Sequence, residues 1–186
     1  GDNLPAVIRW LRRAGPTRDH WQRIVETLAD ISPFVFDVRT NHLKTGNEYV
    51  EFIETRAGRP VESWDASDGT LRALAILMAV ESHPEATTVV IEEPEKGLHP
   101  WAVRYLMDHI RDAAKRRGLQ VIMTTHSPQV LEAVDPAEVT VATRTIEKGT
   151  KLQNLTELVD LEHVDPSDLS RLWVKGLLGA VPTRAH

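Results

Sequence analysis

The stretch from Thr88 to Pro100, TVVIEEPEKGLHP, restricts the possible folds more than any other part of this chain. Val89, Val90 and Ile91 form a β-branched run that suits a strand buried on both faces of a parallel sheet. Glu92 and Glu93 follow directly, and Pro94 ends the strand by removing a ladder donor. A strand that finishes on two acids delivers carboxylates to the carboxyl edge of a sheet, where open α/β folds bind ligands. Alternation along a strand turns the two side chains to opposite faces, so they need not share a role. One can hold a metal, directly or through water, while the other faces a nucleophilic water. Alone, the pair would be read first as a solvated acidic turn, and the neighbouring motifs reverse that choice.

At 186 residues the chain is long enough for a real core, and 41% hydrophobic with 26% charged residues is ordinary for a soluble globular protein. The sequence has no apolar run of membrane-spanning length and no basic-then-apolar leader pattern, which reads as a cytoplasmic protein with no membrane partner. It contains no cysteine, so disulfides and thiolate metal sites are excluded. A net charge of −5 argues against a generally basic, nucleic-acid-coating surface. Two basic clusters stand out, Arg9, Arg12, Arg13 and Arg18 near the start, and Arg111, Lys115, Arg116 and Arg117 in a helix end, where cations complement the macrodipole.

Spacing predicts a helix on Leu4, Val7, Ile8 and Leu11 after Asn3, and a second on Trp21, Ile24, Val25 and Leu28 after Thr17. Phe34, Phe36 and Val38 alternate as a strand, followed by strands at Tyr49–Thr55 and Val61–Trp64 with a turn at Ala57-Gly58, and the aromatic residues here are read as core. Residues 1–64 thus read as a helical hairpin with a small antiparallel β-element. Leu71–Val80 is too uniformly apolar for a surface helix and is predicted to be central. Ser67, Asp68 and Gly69 at its start offer a hydroxyl, a carboxylate and bare backbone at a helix N-terminus, suited to phosphate or simply to capping. Pro100 opens another helix running to Gly118, and Leu119–Met123 makes a second buried strand ending in Thr124-Thr125-His126-Ser127-Pro128. If the two strands are neighbours, His126 stands beside Glu92 and Glu93 as a polar contact for phosphate. A strand at Val139–Thr143, a turn at Glu147-Lys148-Gly149 and a helix from Asp165-Pro166 to Gly176 and Gly179 complete the chain, with 183–186 as a frayed tail.

The order DASDGT at a helix start, VVIEEPE at a strand end, LHP, and TTHSP at a second strand end resembles the C-terminal half of an ABC-type ATPase head. More narrowly, it is similar to the SMC/RecF-like and OLD-like branch. The resemblance covers Trp64 to Pro128, and the closing LWVKGLLGAVP is similar in style. It implies an α/β fold: the C-terminal lobe of a P-loop NTPase over residues 65–182, with a mostly parallel sheet flanked by helices. By this resemblance Ser67, Asp68, Gly69 and Thr70 match the signature motif, which meets ATP bound by the opposite protomer. Glu92 matches the acid that supports Mg²⁺, and Glu93 the carboxylate that orients or deprotonates the attacking water. Glu95, Gly97 and His99 fall in the D-loop at the dimer interface, and His126 matches the switch histidine at the γ-phosphate. Glu92 stands where Asp is usual, Asp68 where a first glycine is usual, and Thr70 where Gln is usual, departures that fit the SMC/RecF/OLD branch better than transporters.

No G-x-x-x-x-G-K-[ST] occurs in the sequence, and Gly149-Thr150-Lys151 lacks both its spacing and its hydroxyl residue. The resemblance places that loop in an N-terminal half, so the expected partners are that half and a second copy joined through signature and D-loop, with DNA or a companion nuclease left open. The expected cofactors are ATP and Mg²⁺, both requiring the other half, and these residues alone are expected to show no ATPase activity. The alternative reading is a non-catalytic interaction module derived from such an ATPase. A metal-dependent nuclease built on the two glutamates and His126 ranks third, for want of a further carboxylate cluster.

Overall fold

A computed structural model of the chain describes residues 3–13, 17–54, 60–82, 87–145, 149–159 and 166–178. Two compact units meet in sequence at Thr125 and His126. The division does not coincide with the boundary expected after residue 64, because the first two helices pack against the central ones. The expected turn at Ala57-Gly58, residues Glu147 and Lys148 of the next turn, Asp165, Gly179 and the 183–186 tail lie outside the described residues.

In the first unit, α1 (Leu4–Leu11) and α2 (Arg18–Ile31) bury Ile8 and Leu11, and Trp21, Ile24, Leu28 and Ile31, at three- and four-residue spacing. Both lie against α3 (Asp68–Ser82), and α2 also touches α4 (Pro100–Arg117). Helix α3 is the centre of this unit. Ala73, Leu74, Ile76, Leu77, Met78 and Val80 are all buried, as its nearly unbroken apolar sequence requires. Gly118, at φ 64°, ends α4 in the left-handed conformation that glycine tolerates.

Strands β1 (Val35–His42), β2 (Glu48–Glu54) and β3 (Pro60–Glu62) form an antiparallel sheet in that order. Its inward residues are Val35, Val38, Val50 and Phe52. Phe34 and Phe36 were expected in the core, but they are 64% and 53% exposed. A register shift between Val35 and Asp37 puts the valines inward, so the aromatic alternation marked the wrong face. Trp64 is likewise exposed and rests on Tyr49, with ring centroids 4.8 Å apart.

Strand β4 (Thr88–Glu92) pairs in parallel with β5 (Gln120–Thr124), so the two motif-bearing strands are neighbours as anticipated. Burial on both faces does not hold. Val89 and Ile91 are buried, whereas Val90 and its register partner Ile122 are 66% and 49% exposed. Each strand is covered on one side, by α3 and α4, and alternation turns Val90 and Ile122 the other way.

The second unit carries α5 (Pro128–Glu132), the antiparallel hairpin β6 (Thr140–Thr145) and β7 (Gly149–Asn154), and α6 (Pro166–Val174). Val141, Leu155, Leu169 and Leu178 form its core, with Leu172 and Trp173 packed against them. Among the described residues of the chain, no helix is long and apolar enough to cross a membrane.

Candidate active site at the ends of β4 and β5

The parallel register sets Glu92 opposite Thr124. The Glu93 amide continues the ladder by donating to Thr124 O at 2.8 Å. Immediately afterwards the backbone turns sharply. Glu93 has φ 44°, the one non-glycine residue with positive φ among those described. Glycine, which has no Cβ, adopts this region freely, but a glutamate there costs on the order of 1–2 kcal/mol. Strain of this kind persists only where the surroundings hold it. Here the holder is Arg72 in the first turns of α3, whose Nε donates to Glu93 O at 3.2 Å and whose terminal nitrogen donates to Glu92 O. Lys96 N–H closes the turn onto Glu93 O at 3.1 Å.

The two carboxylates leave this turn differently. Glu92 is exposed and its side chain bonds to nothing among the described residues. The Glu93 carboxylate is 44% exposed and lies 3.7 Å from Lys96 Nζ, which is 70% exposed, so that pair contributes little. Both remain open to a ligand. Glu95 points back into its own unit: Thr125 Oγ1 donates to Glu95 Oε1 at 2.7 Å. Its other oxygen, Oε2, is buried and receives no hydrogen bond among the described residues.

The start of α3 lies beside this turn. Gly69 is buried, and a Cβ built on it would sit 2.1 Å from Gly97 O, while Gly97 itself has φ +80°. The two glycines are therefore required for backbone contact between the Ser67–Thr70 segment and the turn after β4. Thr70 N–H donates to Ser67 Oγ at 3.1 Å, so Ser67 caps α3, and the Ser67 and Thr70 hydroxyls lie 2.7 Å apart. Ser67 and Asp68 are exposed. His99 caps α4, accepting from Trp101 N–H at 3.4 Å, and begins an exposed aromatic row with Trp101 and Tyr105.

His126 follows Thr124, the register partner of Glu92, by two residues and belongs to the second unit. Its exposed ring stacks on Trp173 at 6.3 Å and 22°, and Trp173 Nε1 donates to His126 O at 3.0 Å. The structure thus gathers Glu92, Glu93, Glu95, Gly97 and the Ser67–Thr70 segment around one strand end. Sequence reasoning missed Arg72, Thr125 and Trp173. Arg72 had a readable signal, as the one charge in the otherwise apolar Leu71–Val80 run. The other two had none, because their partners are set by strand register and by α6 packing.

Among the described residues, no group of three or more His, Asp or Glu side chains gathers as a metal cage. The donor set suits Mg²⁺ nonetheless, since that ion is commonly held by one or two carboxylates with phosphate oxygens and water. The Glu92 carboxylate, exposed and without a side-chain partner among the described residues, has the chemistry such a ligand needs.

Comparison with known proteins gives the family and the fold. Residues 8–132 match the profile of a family described as "AAA domain, putative AbiEii toxin, Type IV TA system". An uncharacterized ABC transporter ATP-binding protein of Bacillus subtilis is 23% identical over 141 residues, 73% of this chain and 45% of that protein. A methionine import ATP-binding protein of Pectobacterium atrosepticum is 28% identical over 108 residues, 58% of this chain and 31% of that protein. The chain therefore spans less than half the length of these curated relatives. Among solved structures, a chain from a study of ATP-driven dimerization and DNA-stimulated activation of SMC ATPases superposes with TM-score 0.54 at 16% identity, covering 80% of this chain and 86% of that one. An SMC head bound to the C-terminal winged-helix domain of ScpA gives TM-score 0.57 at 15% identity, covering 73% and 42%. At these identities the likeness establishes the P-loop NTPase fold.

Proposed function

The chain belongs to this AAA domain family, within the ABC- and SMC-like ATPases, and from that premise we propose that it is the C-terminal lobe of an ATP-hydrolysing head. The observation that carries the reading is the turn at Glu93: a strained glutamate, clamped by Arg72, directly after a Glu92 whose carboxylate has no partner among the described residues, at a parallel strand end. Strain at a functional turn of this kind fixes a side chain ahead of reaction.

Bound Mg·ATP supplies the phosphoanhydride and the charge that draws water to it. Glu92 would hold the metal, directly or through water. Glu93 orients the attacking water and takes its proton on a carboxylate oxygen, and His126 donates a ring N–H toward the terminal phosphate. Little covalent chemistry falls to the protein, so positioning dominates. The β- and γ-phosphates also need a backbone cradle with a lysine, which this sequence lacks. A half carrying that loop would complete the head. Two completed heads would then close around nucleotide through Ser67, Asp68 and the turn at Gly97, with DNA or a companion nuclease as effector.

The test is to combine this chain with the half that bears the phosphate-binding loop and follow phosphate release with Mg²⁺. Turnover near about 1 per second that is absent from either part alone is expected. Glu93→Gln should lower it by about 100-fold while leaving ATP binding intact and trapping the nucleotide-bound dimer. Tight association of the two parts without any turnover would instead identify a non-catalytic interaction module.

A further inference from the structure

Glu95 falls in the stretch expected to lie across a dimer interface, yet its side chain turns inward. One oxygen accepts from Thr125, at the end of β5, and the other is closed off from solvent with no hydrogen bond from the described residues. A buried acceptor left empty costs about 1–3 kcal/mol, so a carboxylate is an expensive choice for packing alone. Its location gives it a use. Glu95 is two residues beyond the strained Glu93, and Thr125 immediately precedes His126. The Thr125–Glu95 bond therefore joins the turn that carries the first group to the strand end that leads to the second.

The backbone already provides one tie between these segments, from Glu93 N–H to Thr124 O. That tie fixes the end of the ladder at Glu93. The Thr125–Glu95 bond adds a side-chain tie between the same two segments two residues further along. Arg72 holds the same turn from the side of α3, and Gly97 is held against Gly69. We infer that Glu95 is a positioning residue for the hydrolysis proposed above, latching the Glu93 turn to the end of β5 through the Thr125 hydroxyl. The latch rests on that reading of Glu93.

The experiment uses this chain completed by the half that bears the phosphate-binding loop, with Thr125→Val, Thr125→Ser, Glu95→Ala and the Glu95→Ala/Thr125→Val pair. Valine keeps the shape of threonine and removes the donor, while serine restores it. Thr125→Val and Glu95→Ala should each lower kcat about tenfold or more, with KM for ATP within about twofold, because misplacement of reacting groups acts on the chemical step. Thr125→Ser should return kcat to within about threefold of wild type, and the double variant should be no worse than the poorer single one, since both remove one shared bond. Independently of activity, hydrogen exchange at the Glu93 and Lys96 amides should accelerate in Thr125→Val while the α2 amides stay as in wild type.

Unchanged kcat in Thr125→Val, or a rise in KM and a fall in thermal stability with kcat preserved, would overturn the latch. So would faster exchange at Glu93 with no kinetic effect. Glu93→Gln serves as the control: if that variant still turns over ATP normally, the assignment of the base fails whatever the Thr125 variants do. If it is inactive and Thr125→Val is normal, the latch alone fails.

Discussion

Two glutamates in the first unit show opposite uses of the same side chain. Glu81, near the end of α3, has a side chain with no exposure at all. Arg116 donates to Glu81 Oε1 at 2.7 Å, His20 Nδ1 lies 2.5 Å from Oε2, and His109 Nε2 lies 3.1 Å from Oε1. Arg117 adds hydrogen bonds to the Val80 and Glu81 carbonyls. The carboxylate thereby ties α2, α3 and α4 together. Burial pushes its pKa up, but the close His109 ring, hydrogen bonds with Arg116 and His20, and the charge of Arg116 outweigh burial and hold it well below the usual carboxylate range. The Glu93 carboxylate has one weak partner among the described residues, sits on a strained backbone and is 44% exposed. A carboxylate whose acceptors are filled stabilises the fold, whereas one left open on a rigid, strained turn is available for chemistry.

The contrast makes its strongest prediction at Glu81. Glu81→Ala strands Arg116 and two histidines in a partly buried pocket and should destabilise the protein by about 3–5 kcal/mol, read by denaturant unfolding. The acid limb tests the same site without mutation. The folded pKa is depressed, so its contribution is fully present well above about pH 4.5 and fades as pH falls through and below that value. Glu81→Ala should flatten that part of the stability profile.

Gly69→Ala is the next largest. Its methyl group would meet Gly97 O, so the helix start and the turn after β4 must separate, at a cost of about 2–3 kcal/mol. The smallest effect has the opposite sign. Glu93→Gly relieves the left-handed strain and should raise stability by about 1 kcal/mol while removing hydrolysis from a completed head. A loss of stability in that variant would erase the distinction drawn here between a structural and a poised glutamate.

Much of this was readable in the residues. β-branched runs, a proline after two acids and an apolar helix interior located β4, β5 and α3, because local period and turn chemistry are written into neighbouring positions. The exposed Val90 and Ile122 and the outward Phe34 and Phe36 were not readable. Burial depends on what lies across a face, and a bulge of one residue reverses which side is which. The partners of Glu81 come from helices far apart in sequence, so nothing near Ser82 announces them.

By itself the sequence determined which chemical groups are present and in what order along the strands: the paired acids, the glycines, the histidine. Tertiary structure alone decided which glutamate is satisfied and which is left open to solvent. That outcome depends on donors brought in by distant helices and on a backbone angle that packing, rather than local preference, imposes.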